Sequence, residues 1–80
     1  MEEERTKQDL MYVGSVLRHA RNSCGLSLRD LSADSGIAYP NISIIENGNC
    51  SVKISTLSRL FGAMDMTIRD AVVKYEMFNE

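Results

Sequence analysis

The stretch SLRDLSADSGIAYPNISIIENG, Ser27–Gly48, decides the fold. Ser27 reads as an N-cap, with Asp30 three residues on in a capping-box arrangement, and Leu28, Leu31 and Ser32 run along a short helix. Gly36 ends that helix, because a residue free to adopt positive φ lets the chain turn at once. Another helix starts near Tyr39-Pro40, where proline's missing N–H costs nothing in the first turn. It carries Ile42, Ile45 and Glu46 and stops at Asn47-Gly48, a pair suited to a left-handed helix end. Two short helices joined through Gly36-Ile37-Ala38 follow the sequence logic of a helix-turn-helix. Leu31, Ile37, Ile42 and Ile45 are spaced to pack the two together and onto a preceding helix. Taken alone, the pattern also fits an ordinary α-hairpin.

Helical spacing continues on both sides. Upstream, Leu10, Val13, Leu17, Ala20 and Cys24 follow the three-and-four rhythm of one buried face, and Gly25 is a natural stop. Downstream, Asn49–Lys53 reads as loop, and Ile54, Leu57, Leu60, Phe61 and Met64 mark a fourth helix. Thr67 with Asp70 caps a fifth, which carries Ile68, Ala71, Val72 and Tyr75 on one face. No stretch alternates apolar and polar residues long enough for a strand, and there is no internal repeat. The expected fold is therefore all-α, a compact five-helix bundle. Its expected divisions are an acidic N-terminal extension at 1–9, the domain at 10–75 and a C-terminal tail at 76–80.

Composition sets the outer limits. Eighty residues suit one domain, and at this size roughly 60–65% of the unfolded chain's surface can be buried. A 44% hydrophobic content with 25% charged residues is too apolar and too balanced for a disordered chain. No apolar run is long enough to span a membrane, and the acidic Met1–Leu10 does not look like a signal peptide. Cys24 and Cys50 cannot build a disulfide framework and read as reduced thiols near the rim of the core, which gives a cytoplasmic expectation. His19 has no second histidine and the cysteines are far apart, so no metal site is expected. With no nucleophile–base, paired-carboxylate or phosphate-loop spacing, neither an enzyme, a cofactor nor a small-molecule substrate is indicated.

The formal net charge of −2 argues against a nucleic-acid partner until it is located. Glu2, Glu3, Glu4 and Asp9 against Arg5 and Lys7 give −2 over Met1–Leu10, and Lys74 against Glu76 and Glu80 gives −1 at the other end. The body is near neutral: Arg18, Arg21, Arg29, Lys53, Arg59 and Arg69 against Asp30, Asp34, Glu46, Asp65 and Asp70 give +1.

Residues Val13–Ala71 resemble the phage-repressor/Cro-like (XRE-type) helix-turn-helix family. The resemblance rests on Val13-Gly14, Leu17-Arg18, Arg21, Gly25-Leu26-Ser27, Leu31, Gly36-Ile37, Ile42-Ser43, Ile45-Glu46 and Gly48, then Ile54, Leu57, Leu60, Ala63 and Ile68. It implies a lambda-repressor-like domain that regulates transcription by binding double-stranded DNA, with helix three in the major groove and helix two across the backbone. By position, the base-facing candidates are Tyr39, Pro40, Asn41, Ser43 and Ile44. The backbone-facing candidates are Ser27, Leu28, Arg29, Asn47, Asn49, Ser51 and Lys53. The resemblance also implies a structural ion pair between Arg21 and Glu46.

The departures matter as much. The family usually has glutamine where Leu28 stands, polar or basic readers at Pro40 and Ile44, alanine at Ser32 and proline at Val52. Helix three holds no arginine, lysine or glutamine, so bidentate arginine-to-guanine readout is closed to it and Asn41, able to pair with adenine, becomes its strongest reader. Val73, Met77 and Phe78 add apolar surface beyond what helix five needs for packing, which points to a homodimer interface. The competing expectation is a protein-interaction module, an antirepressor or adaptor that uses the same fold without reading DNA.

Overall fold

The computed structural model describes residues 2–79, which form five helices: α1 (Glu2–Ser23), α2 (Leu28–Ser35), α3 (Tyr39–Glu46), α4 (Ile54–Gly62) and α5 (Ile68–Phe78). Local chemistry accounts for several of the ends. Ser27 and Thr67 each cap their helix through a complete capping box, with Asp30 and Asp70 returning a carboxylate to the cap N–H. Those backbone N–H donors hold both carboxyls below their ordinary value of 3.8. Gly36 closes α2 in the left-handed region at φ 76°, and α3 begins after Ala38 with proline in its first turn.

α1 packs against α3 and α5, α2 against α3 and α4, and α4 against α5. One core results, built from Val16, Leu17, Ala20, Leu31, Ile42, Ile45, Leu57, Leu60, Phe61, Met64 and Ala71. The buried arc of α1 differs from the expected one. Leu10 and Val13 are only half-buried and Cys24 is exposed, while Gly14, Val16, Leu17 and Ala20 are buried. Two neighbouring helices share α1, so its buried arc is wider and turned toward Gly14 and Val16. Cys24 follows the last residue of the helix, where no neighbour covers it. Cys50 does lie at the core's rim, half-buried against it.

The chain ends also differ from a simple extension and tail. Residues 2–9 are helical, continuous with α1 and exposed, and Met1 lies outside the described residues. Glu2, Glu3 and Glu4 occupy the first turn, where negative charge suits the helix dipole. At the other end α5 runs through Phe78, so of the expected tail only Asn79 is described beyond the helix, and Glu80 lies outside the described residues.

α1 and the end of α3 approach each other closely. A Cβ on Gly14 would lie 2.5 Å from the carbonyl oxygens of Ile45 and Glu46, and one on Gly48 would lie 2.9 Å from the Met11 Cα. The two helices can touch there only because both positions lack a side chain. Gly62, the last residue of α4, has open space where a Cβ would go.

The same substitution should therefore have opposite signs at the two helical glycines. Helix propensity favours alanine over glycine by about 1 kcal/mol at either. At Gly14 the backbone clash outweighs it, and Gly14→Ala should destabilise by about 2 kcal/mol or more, since overpacking of this kind typically costs ~1–3 kcal/mol. Gly62→Ala should stabilise by about 0.5–1 kcal/mol. In a domain of this size thermal unfolding should separate the two variants by about 10 °C or more, with Gly62→Ala the higher. Equal or reversed midpoints would contradict the packing described for Gly14.

Candidate nucleic-acid interface

α3 divides cleanly into a held face and an offered one. Ile42, Ile45 and Glu46 are buried, whereas Tyr39, Pro40, Asn41 and Ile44 are exposed and Ser43 is half-buried. The helix is fixed from behind by a shared carboxylate. Arg21 donates from Nε to Glu46 Oε2 at 2.7 Å and from Nη2 to Oε1 at 3.0 Å, while its Nη1 donates to the Leu26 carbonyl at 2.9 Å. Hydrogen bonding to Glu46 raises the Arg21 pKa further above its already high ordinary value. Arg18 adds a longer contact, Nε to Glu46 Oε1 at 3.4 Å, and donates from Nη2 to Asn47 Oδ1 at 2.8 Å.

Arg18 is the residue that sequence reasoning undervalued. It entered only as part of a motif, although its position three residues before Arg21 already put both guanidiniums on one side of α1. Its engagement changes the standing of Asn47. The Asn47 side chain accepts from Arg18 and donates to the Ser43 carbonyl at 2.9 Å, so it serves first to finish α3.

The remaining backbone-facing candidates fall into two groups. Ser27, Leu28 and Arg29 stand at the start of α2. There the capping box engages the N–H groups of Ser27 and Asp30, leaving those of Leu28 and Arg29 for an outside acceptor. The Asp30 carboxylate sits at the same helix end, so any anion approaching it meets a negative charge. Leu28 is half-buried against the core, and what it offers outward is its N–H.

Ser51 and Lys53 lie across a groove from α3. A cavity of about 410 Å³ is lined by Asn41, Ile44, Ile45, Cys50, Ser51, Val52, Lys53 and Thr56, which brings the candidate base-facing residue Asn41 beside the only cation of the loop. Lys53 is also the N-cap residue of α4, which has neither a side-chain cap nor an acid in its first turn. The N-terminus of α3 likewise has no side-chain cap and no first-turn acid. Both helix ends beside this groove thus keep their positive partial charge uncompensated, unlike those of α2 and α5. Asn49 sits apart, in a depression with Glu3, Thr6, Lys7 and Leu10 of α1.

On α5, Val73, Met77 and Phe78 are 48%, 69% and 73% exposed. Phe78 rests against His19 at 4.6 Å between ring centroids, and Tyr75 meets Tyr12 edge-on at 5.5 Å. Tyr12 donates its hydroxyl to Glu76, a bond that pushes its pKa up to about 12. Ile54, one of the apolar residues that mark α4 in the sequence, is 69% exposed. As the first residue of its helix it lies beyond the reach of the core. Among the described residues no three His, Cys, Asp or Glu side chains gather as a metal site, and no helix is long and apolar enough to cross a membrane.

No family model matches the chain, and no curated protein does. Solved structures do match. An HTH_3 family transcriptional regulator from Vibrio cholerae superposes with a TM-score of 0.81 at 22% identity over 86% of this chain. The chain spans 39% of that protein's length, and at this identity the likeness speaks to the fold alone. The restriction-modification controller protein C.AhdI from Aeromonas hydrophila superposes with a TM-score of 0.76 at 30% identity, over 80% of this chain and 97% of that one. A relative of that identity is matched along almost its whole length, and the chain belongs to the phage-repressor/Cro-like helix-turn-helix family.

Proposed function

We propose that the protein is a non-enzymatic, sequence-specific regulator of transcription that binds double-stranded DNA as a homodimer on a palindromic operator. The observation that carries the reading is the offered face of α3: Tyr39, Pro40, Asn41 and Ile44 exposed at an uncapped helix end, with Lys53 across an open groove. A helix so presented fits the major groove, where Asn41 can pair with an adenine edge and Tyr39 and Ser43 supply hydroxyls. Pro40 and Ile44 are suited to apolar contact, such as with a thymine methyl. Ser51, Lys53, the α4 N-terminus and the Leu28 and Arg29 N–H groups would meet phosphates. The restriction-modification controller among the structural relatives supports the same assignment.

A rival reading draws on Ile44, an isoleucine 42% exposed in the middle of the offered face. It makes the protein an adaptor that docks another protein through α3. Titration against a pool of random DNA duplexes at about 50 mM and about 200 mM salt separates the two, because every neutralised phosphate releases counterions. The regulator should bind at the lower salt and weaken at the higher. Its slope should be shallow, below that of about ten phosphate contacts per dimer, since Arg29 and Lys53 are the only cations among the residues proposed to meet DNA. Asn41→Ala should erode preference among sequences, and Lys53→Ala should weaken all of them about equally. Absence of binding at the lower salt would favour the adaptor.

The homodimer reading rests on the exposed apolar row of Val73, Met77 and Phe78 along α5. Two copies joined there would present two α3 helices to successive major grooves, about 34 Å apart. Sedimentation equilibrium at micromolar concentration should find a dimer, and Phe78→Glu should convert it to monomer while leaving the helical circular-dichroism signal intact. A wild-type protein that is monomeric throughout would overturn this part of the proposal.

A further inference from the structure

The helix that should read bases carries no cation, yet one stands directly beside it. Arg29, the second residue of α2, holds its guanidinium carbon 5.2 Å from the centroid of the Tyr39 ring, the first residue of α3. This is within the range of a cation–π contact, which leaves the in-plane N–H groups of a guanidinium free to donate. Both side chains are exposed, Tyr39 by 44%, so the contact adds little to the core and lies on the offered face. Among the described residues Arg29 has no carboxylate partner, and neighbouring Asp30 is engaged in its capping box. Across the turn, Ala38 supplies no polar side chain to compete for the guanidinium.

Building on the DNA-binding reading above, we infer that Arg29 and Tyr39 act as one reading unit. The Tyr39 ring is a platform that aims Arg29, from outside the recognition helix, at a guanine edge in the major groove. The in-plane donors of arginine match the O6 and N7 acceptors of guanine, the commonest specific contact of its kind. The arrangement supplies from α2 the bidentate contact that α3, lacking arginine, lysine and glutamine, cannot make. Tyr39 is then a positioning residue for Arg29 in addition to any contact of its own.

The test is selection from a randomised DNA duplex pool, followed by affinity measurements on the recovered sequence and its single-base variants. Wild-type protein should recover a motif with a guanine in each half-site. Arg29→Ala should abolish preference at that guanine, a discrimination worth about 5- to 150-fold. Tyr39→Leu should lower preference at the same position, Tyr39→Phe should keep it, and the Arg29→Ala/Tyr39→Leu double variant should lose no more there than Arg29→Ala alone. Because both side chains are exposed, all variants should unfold within a few degrees of wild type. The inference is overturned if Arg29→Ala weakens every sequence equally and lowers the salt slope by about one per protomer, as loss of a phosphate contact would. It is also overturned if the two substitutions act on different bases or add independently. Recovery of no motif by the wild-type protein would overturn the DNA-binding reading itself and this inference with it.

Discussion

A single buried carboxylate holds the arrangement together. Glu46, at the last residue of α3, is 4% exposed, and removing such a charge from water costs several kcal/mol unless its oxygens are satisfied. Here Arg21 meets both oxygens and Arg18 touches one of them. The two guanidiniums differ in weight. The Arg21 side chain is 13% exposed, whereas that of Arg18 is 47% exposed and its contact is longer, so solvent screens it. Loss of one partner from a buried pair costs about 3–5 kcal/mol. Domains of this size have only about 4–12 kcal/mol to lose. The bridge also lies beside the point where Gly14 admits the α3 carbonyls. Charge and close packing thus fix the same crossing, and the outer face of α3 inherits its rigidity from both.

From that crossing the functional geometry follows. α3 is only eight residues long and has no capping side chain, so it draws little stability of its own. Its buried residues and the α1 bridge hold it, which leaves its first turn unencumbered by acids or caps. The same absence at α4 places two positive helix ends and Lys53 around one groove. A protein with net charge −2 can in this way keep the proposed binding face locally favourable to phosphate. Of the acids nearest this face, Asp30 is engaged in its capping box and Glu46 is neutralised by Arg21.

Much of this was legible in the sequence because the signals are local. Serine or threonine followed three residues later by aspartate marks α2 and α5, and Gly36 marks the turn, since each acts through backbone groups a few residues away. The buried arc of α1 was harder to read. Cys24 and Leu10 fit the periodicity but not the core, because two neighbouring helices decide which side of α1 is covered. The run of α1 back to Glu2 had a signal in its three glutamates, which favour a helix N-terminus. The Arg21–Glu46 partnership came from family resemblance and not from spacing. Arg18 on Asn47 and Arg29 over Tyr39 join residues from different helices, and no periodicity within one helix could pair them.

The central claim, that the α3 tip and the α4 entrance form one DNA-contacting face, is tested most directly by amide chemical shifts. Isotope-labelled protein would be titrated with a random duplex at low salt. Perturbed amides should cluster at Leu28–Arg29, Tyr39–Ile44 and Ser51–Thr56, with the exposed row of α5 unmoved. Shifts confined to α5 or to the acidic turns of α1, or none at all, would contradict it.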